Sequence, residues 1–244
     1  MSNKAPIMED VKIVNESLLE ILTNWSDFVV AHKKDIEDNI HLEYPPGLRS
    51  GTRALEHWHT DDYRDEIMKK GAAHEGYPEA GFFYQLKLQQ MKWRKNARIN
   101  TKFQEKFIAA QTKFNQDLMS ELGMRRNCLL VAYPEEGFIG WHNNSNAPGY
   151  NLIFTFSEKG DGYWENYNGG TEEFERIQDV PGWQCKASYF GHWGDVNNDP
   201  ASKRNIVWHT AKTFDSWRMT CSYLFDLQSK DWWEDSVQIV KEND

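Results

Sequence analysis

The chain of 244 residues lacks most features that mark secreted or membrane proteins. It has only three cysteines, Cys128, Cys185 and Cys221, which are far apart and form no CxxC pair. An odd number of separated cysteines in apolar surroundings predicts buried free thiols and a reducing compartment. The polar N-terminus lacks the apolar stretch of a signal peptide, and no run approaches the roughly 18 apolar residues of a membrane span. We therefore expect a cytoplasmic protein with no membrane partner.

Positive charge is also scarce. Lys and Arg number 28 against 37 acidic residues, which gives a formal net charge of −9, and no segment concentrates Lys and Arg without interleaved acids. A duplex-DNA binder needs a basic surface to neutralise phosphates, so we expect no nucleic-acid partner. Aromatic residues, in contrast, make up 14% of the chain and include 11 Trp. This composition excludes a disordered chain and predicts a globular protein.

The first half, residues 1–126, predicts a helical support region. Apolar residues recur at three- and four-residue steps over residues 11–29 and again over residues 103–122, which is the pattern of amphipathic helices. Gly123 is a suitable stop for the second of these helices. A shorter helix is expected over residues 61–70. The first half contains no motif that indicates a particular chemistry.

From residue 127 the sequence changes to short β-rich runs separated by turns rich in Gly, Asn and Asp. The runs are 128–133, 150–156, 186–190, 205–208 and 217–225. Several short strands at this spacing predict an all-β sandwich or barrel. We therefore expect an α+β fold in which the helical first half packs against a β second half, residues 127–244, as one folded unit.

Two histidines and an arginine in the second half have the order of a metal site. His142 follows a loop between strands, His209 closes a later strand, and Arg218 comes nine residues after His209. Iron that activates oxygen is held by two imidazoles and one carboxylate on one face. A chelating cosubstrate also needs a buried cation, and the guanidinium fork suits a carboxylate. Arg218 shares one face of its predicted strand with Thr220 and Ser222, a polar inward face typical of a ligand-holding barrel.

These residues resemble the prolyl-hydroxylase-like branch of the Fe(II)/2-oxoglutarate-dependent oxygenases. The core of that family has a strand ending in Tyr-Pro, a Gly-rich turn, His-x-Asp, a further strand, a late His and a basic residue nine or ten positions later. The matching features are Tyr133-Pro134, Gly137, Gly140, His142-Asn143-Asn144, the run 150–156, His209 and Arg218. The resemblance covers residues 127–226 and implies a double-stranded β-helix, or jelly roll.

The resemblance also implies a function and a site. His142, His209 and, by its position, Asn144 would hold Fe(II); Arg218 would bind the far carboxylate of 2-oxoglutarate, and Tyr133 would belong to the cosubstrate pocket. The implied reaction uses O2, with ascorbate as an optional reductant, to hydroxylate an unactivated C–H bond. A small molecule and a peptidyl side chain are both open as substrates, and the sequence does not indicate an oligomeric state.

Asn144 departs from the family, which has a carboxylate at this position. An amide oxygen can coordinate iron but is neutral and therefore a weaker ligand. Three interpretations follow: Asn144 is a ligand, a carboxylate such as Asp195 or Asp161 completes the triad, or the site is degenerate and the chain is a binding or structural protein. A halogenase-like variant is disfavoured because Asn is larger than the Gly or Ala that leaves room for halide.

Two other histidine motifs compete with this assignment. His192 precedes a loop rich in Asn and Asp, but no basic residue follows it at the required spacing. The segment His57-Trp58-His59-Thr60-Asp61 contains a literal His-x-Asp. It lies in an irregular stretch before a helix, where Asp61 is typical of a cap or a first-turn acid. The sequence therefore favours His142 and His209.

Overall fold

The structure is a computed structural model that describes residues 8–45, 47, 55–70, 78–94, 100–124, 127–144, 147–168, 173–190 and 207–243. Its helices are α1 (Glu16–Ala31), α2 (Lys33–Asn39), a 3-10 helix (Leu55–His59), α3 (Asp61–Lys70), α4 (Thr101–Glu121) and α5 (Lys230–Lys241). Its strands are β1 (Met8–Val11), β2 (Leu42–Glu43), β3 (Gly81–Gln85), β4 (Asn127–Tyr133), β5 (Phe138–His142), β6 (Gly149–Ser157), β7 (Tyr163–Asn168), β8 (Glu173–Gln178), β9 (Gly182–Phe190), β10 (Trp208–Lys212) and β11 (Arg218–Phe225).

The eight strands from β4 to β11 have jelly-roll connectivity. One half of the sheet runs β9-β6-β11-β4 and the other runs β5-β10-β7-β8, with every pair antiparallel. Counted along the chain, these are strands 6-3-8-1 and 2-7-4-5, an order that contains two Greek keys. The predicted α+β class with a jelly roll is confirmed. We call the two halves the major and the minor half.

Short strands from the first 126 residues extend this sheet. β3 joins the two halves, because Tyr84 pairs with Ala132 of β4 and Gly81 pairs with Ile139 of β5. β1 adds an edge to β9, so the helix predicted from residue 11 begins only at Glu16. Asn15 caps that helix by accepting a hydrogen bond from the Leu18 amide at 2.8 Å. A side-chain cap of this kind satisfies one of the amides that a helix start leaves unpaired.

The helices cover the two outer faces of the sheet. The apolar stripes predicted for α1 and α4 are buried in one core with the outer face of the major half, and its members include Leu18, Leu22, Trp25, Phe107, Leu118, Leu130, Phe154 and Tyr223. A second cluster places the 3-10 helix and α3 against β5 and β10 through Trp58, Tyr63, Ile67, Phe138, Trp141 and Trp208. The inner faces of the two halves therefore face each other.

The described residues bear on two further expectations. The three cysteines are free thiols, and Cys185 and Cys221 are buried as predicted, while Cys128 is half-buried. Burial raises the pKa of the Cys221 thiol to about 12, so this thiol is protonated at neutral pH. No helix in the described ranges combines the length and the apolar character that crossing a membrane requires.

Candidate metal and anion site

The structure brings the two predicted metal ligands together. His142 is the last residue of β5 and pairs in register with His209 of β10. Their ring centroids are 4.1 Å apart at an angle of 53°, and both side chains are buried. Antiparallel pairing thus unites, at one edge of the minor half, two residues that are 67 positions apart in the sequence.

Backbone carbonyls orient both imidazole rings in the same way. His142 Nδ1 lies 2.8 Å from the Gly140 carbonyl oxygen, and His209 Nδ1 lies 2.9 Å from the Val207 carbonyl oxygen. Because a carbonyl can only accept, each Nδ1 must carry a proton, and in the neutral imidazole Nε2 then keeps the lone pair. Burial lowers the pKa of His209 well below its usual 6.5, and His142 adds to this effect. Neutral imidazoles with a carbonyl on the second nitrogen are the usual form of metal-binding histidines.

Two aromatic rings stack on the His209 imidazole. Trp164 of β7 stacks on it with centroids 4.5 Å apart at 14°, and Phe190 of β9 stacks on it at 5.1 Å and 8°. The Trp164 indole donates to Asn166 Oδ1 at 3.2 Å, which fixes its own orientation. These contacts restrict the imidazole to one position and surround it with apolar surface. Neither aromatic residue was identified from the sequence, because stacking across strands leaves no local motif.

Asn144 lies beside the histidine pair. Its amide Nδ2 is 3.4 Å from His209 Nε2, and its backbone φ is +53°. Asn and Asp tolerate this left-handed conformation better than most residues. A half-turn of the amide exchanges Oδ1 for Nδ2, so the side chain can present either a donor or an oxygen ligand to the same space. Asn144 is thus adjacent to His209 Nε2, two positions along the chain from His142.

No carboxylate accompanies these residues in the part of the chain that the structure describes, where no three His, Cys, Asp or Glu side chains are grouped to hold a metal. Asp161 does not fill this role. It precedes Tyr163, which pairs with Lys212 at the opposite end of β10 from His209. Its carboxylate accepts hydrogen bonds from the Asp215 amide at 2.6 Å and from the Ser216 hydroxyl. Asp195 and His192 lie outside the described residues.

A cavity of about 320 Å³ opens between the two halves next to the histidines. Its lining includes His142, His209, Asn144, Trp164, Phe190, Tyr133, Asn151, Ile153, Thr220, Ser222 and Lys87. Lys87 is the only charged residue among the described lining residues, and its ammonium donates to the Asn127 carbonyl oxygen at 2.6 Å. The volume suits a small organic ligand. The major half supplies the polar wall, as the predicted face of Thr220 and Ser222 implied.

Arg218 is not among the described residues that line this cavity; its side chain is almost fully buried and reaches Thr220, which does line it. It pairs in register with Tyr133, and its guanidinium carbon is 5.5 Å from the centre of the Tyr133 ring. Its Nη1 donates to Thr220 Oγ1 at 2.8 Å. Burial raises the pKa of Tyr133, although Arg218 opposes the effect. We call Tyr133, Thr220 and Arg218 the deep end.

Arg218 also has a partner that the sequence did not suggest. Its Nε donates to Asp179 Oδ2 at 2.7 Å, and its Nη2 lies 3.4 Å from Asp179 Oδ1. The Asp179 side chain is only 4% exposed, so both charges are removed from water. Asp179 stands just before a Pro-Gly turn, where an acidic residue is ordinarily exposed. Nothing near it in the sequence points to an arginine 39 positions away.

The two histidines of the rival His57–Asp61 motif lie on the other side of the minor half. His59 packs edge-on against Phe138 with centroids 4.4 Å apart, and His57 packs against Trp58 and Tyr63. Burial lowers the pKa of His59 to about 3, with contributions from Lys212 and Arg176. Asp61 begins α3 and forms an ion pair with Arg64 at 2.7 Å. Asp61 is therefore a first-turn acid, as predicted.

Comparison with known proteins gives no match in sequence and weak likenesses in structure. No family model matches the chain, and no curated protein matches it. A prolyl-4-hydroxylase from Pseudomonas putida aligns with 82% of this chain and 100% of its own at 11% identity and a TM-score of 0.33. A dioxygenase for auxin oxidation in rice aligns with 53% of this chain and 46% of its own at 16% identity and a TM-score of 0.26. Likenesses at these TM-scores indicate no function for this chain.

Proposed function

We propose that this chain is an Fe(II)- and 2-oxoglutarate-dependent oxygenase of the hydroxylase type. The observation that carries the proposal is the buried pair His142 and His209, whose Nδ1 atoms both face backbone carbonyls. Two imidazole Nε2 atoms with an adjacent oxygen-bearing side chain are a donor set that Fe(II) accepts. His142, His209 and Asn144 would hold the iron. Bound iron supplies the oxygen activation that side chains cannot perform.

The other residues of the cavity have positioning roles in this proposal. Arg218 and Thr220 bind the far carboxylate of 2-oxoglutarate at the deep end, and Tyr133 forms part of the wall beside them. Trp164 and Phe190 exclude water from the histidines and keep the His209 ring in place. The substrate, a small molecule or a peptidyl side chain, would share the cavity with the cosubstrate, where Lys87 and Asn151 also contribute to the lining.

The experiment that tests this proposal is anaerobic metal and cosubstrate binding. Fe(II) with 2-oxoglutarate should give the weak visible charge-transfer band of the chelate. His142→Ala and His209→Ala should each remove the band and most of the metal affinity. His59→Phe is the matched control, because it removes a half-buried histidine on the outer side of the minor half and should leave the band unchanged. Absence of metal binding by the wild-type protein would refute the proposal.

One observation favours a second candidate, a small-molecule binding protein without iron. The amide of Asn144 stands 3.4 Å from His209 Nε2, and a neutral residue there does not compensate the charge of a dication. In such a protein the same cavity would take an organic ligand directly, and the Asn144 amide would donate to the imidazole. A wild-type protein that binds no metal, and that gains none when Asn144 is changed to Asp, would support this candidate.

A further inference from the structure

Arg218 at the deep end forms a buried ion pair with Asp179. Asp179 occupies the Nε and Nη2 side of the Arg218 guanidinium, with contacts of 2.7 and 3.4 Å. The Asp179 amide in turn donates to the Gly162 carbonyl oxygen at 2.9 Å, which ties the residue to the start of β7. This arrangement leaves the Nη1 side directed at Thr220, which lines the cavity. Asp179 therefore orients the arginine and also compensates its charge.

Charge compensation changes what the deep end attracts. A carboxylate that approaches Nη1 and the Thr220 hydroxyl meets a pair with no net charge. Both members are buried, so solvent screens the repulsion from Asp179 far less than it would at the surface. An arginine with only neutral neighbours would attract the same carboxylate much more strongly. Asp179 does not lower the affinity for ligands whose far end is uncharged, because they carry no negative charge for it to repel.

We propose that Asp179 is a specificity-determining residue that weakens the preference of the cavity for 2-oxo acids with a far carboxylate. This inference rests on the proposed function, because it assigns the deep end to the far end of the cosubstrate. It predicts that the wild-type protein discriminates only modestly between 2-oxoglutarate and 2-oxobutyrate. The two share the chelating 2-oxo acid group and differ in chain length and in the far carboxylate.

The test compares the binding of these two oxo acids to the Ni(II)-loaded protein and to its variants by calorimetry. Asp179→Asn keeps an oxygen that can accept from Arg218 Nε and removes the negative charge. It should tighten 2-oxoglutarate by about tenfold or more relative to 2-oxobutyrate, a change of about 1.4 kcal/mol. Asp161→Asn is the matched control, because Asp161 lies at the same end of β7 and its hydrogen bonds go to Asp215 and Ser216. It should leave the preference unchanged.

A second arm does not need metal. Glutarate carries the same far carboxylate without the 2-oxo group, so its stabilisation of the protein in thermal unfolding reports on the deep end alone. Glutarate should raise the Tm of Asp179→Asn more than that of the wild-type protein. If Asp179→Asn does not fold, Asp179→Ser is the second variant, because its hydroxyl oxygen can also accept a hydrogen bond and carries no charge. It should show the same gain for 2-oxoglutarate and glutarate, and no gain in a folded variant would overturn the inference.

The outcomes separate this inference from the proposed function. If the protein binds neither Ni(II) nor an oxo acid, the proposed function fails, and the glutarate arm still decides the role of Asp179. If both oxo acids bind but Asp179→Asn alters them equally, or alters neither, Asp179 is only structural and the inference is wrong. An equal change of preference in Asp161→Asn would also overturn it, because the effect would then be one of general charge.

Discussion

Asn144→Asp is the substitution that probes the candidate metal site most directly. The residue lies beside the histidine pair, with its amide Nδ2 3.4 Å from His209 Nε2. Asp has nearly the same shape and also tolerates the positive φ of this position, so the change adds a negative charge with little strain. It restores the residue type that the oxygenase family has after His-x.

The expected gain in metal affinity follows from two opposing effects. At an effective dielectric constant near 20, two unit charges about 4 Å apart attract by about 4 kcal/mol. Burying the carboxylate costs several kcal/mol, and the dication recovers more than this because its charge is doubled. We expect a net increase in Fe(II) affinity of about 10- to 100-fold, equivalent to about 1.4 to 2.8 kcal/mol. Turnover of 2-oxoglutarate without substrate should appear or increase.

The assay is anaerobic Fe(II) binding in the presence of 2-oxoglutarate, with wild-type and variant proteins measured side by side. Asn151→Asp is the matched control, because Asn151 lines the same cavity and hydrogen-bonds Ser222 at 3.3 Å. It should change the affinity much less. A fall in affinity and activity for Asn144→Asp would mean that another carboxylate already completes the triad. No iron bound in either protein would refute the metal site itself.

Two further predictions concern buried charge and pH. Arg218→Ala should weaken 2-oxoglutarate binding far more than metal binding, and equal loss of both ligands would make Arg218 purely structural. The same substitution should lower the free energy of unfolding, measured by urea titration, by about 3 to 5 kcal/mol, because Asp179 is left buried and unpaired. The pKa of His59 is lowered from 6.5 to about 3 in the folded state. As the pH falls below 6.5, only the unfolded chain takes up a proton at this residue. Folding stability is therefore lost progressively between pH 6.5 and pH 3. At pH 5 the loss from this residue is about 2 kcal/mol, and His59→Phe should remove it from the pH dependence of urea unfolding; an unchanged pH profile would contradict the assignment.

Periodicity and motif spacing in the sequence predicted the main elements. The stripes over 11–29 and 103–122 correspond to α1 and α4, and the runs 128–133, 150–156, 186–190 and 217–225 correspond to β4, β6, β9 and β11. The run 205–208 reaches β10 only at Trp208, and β5, β7 and β8 of the minor half were not predicted. The correct predictions succeed because the apolar face of a helix or strand must point into the core, and its spacing shows in the sequence. The strand β1 was missed, because four residues next to a helical pattern carry no periodicity of their own. Its pairing depends on the free edge of β9, which exists only once the sheet has formed.

The site also has parts that the sequence predicted and parts that depend on the assembled sheet. His142, His209 and Arg218 could be singled out from order and spacing, because a strand-end histidine, a late histidine and an inward arginine each leave a local trace in the sequence. The distance between the two rings, the carbonyls that set their tautomers and the stacking of Trp164 and Phe190 depend on register between strands. Asp179 is the clearest case: its charge is ordinary in the sequence. Only the tertiary structure decides that it is buried against Arg218, because the contact joins the residue after β8 in the minor half to β11 in the major half.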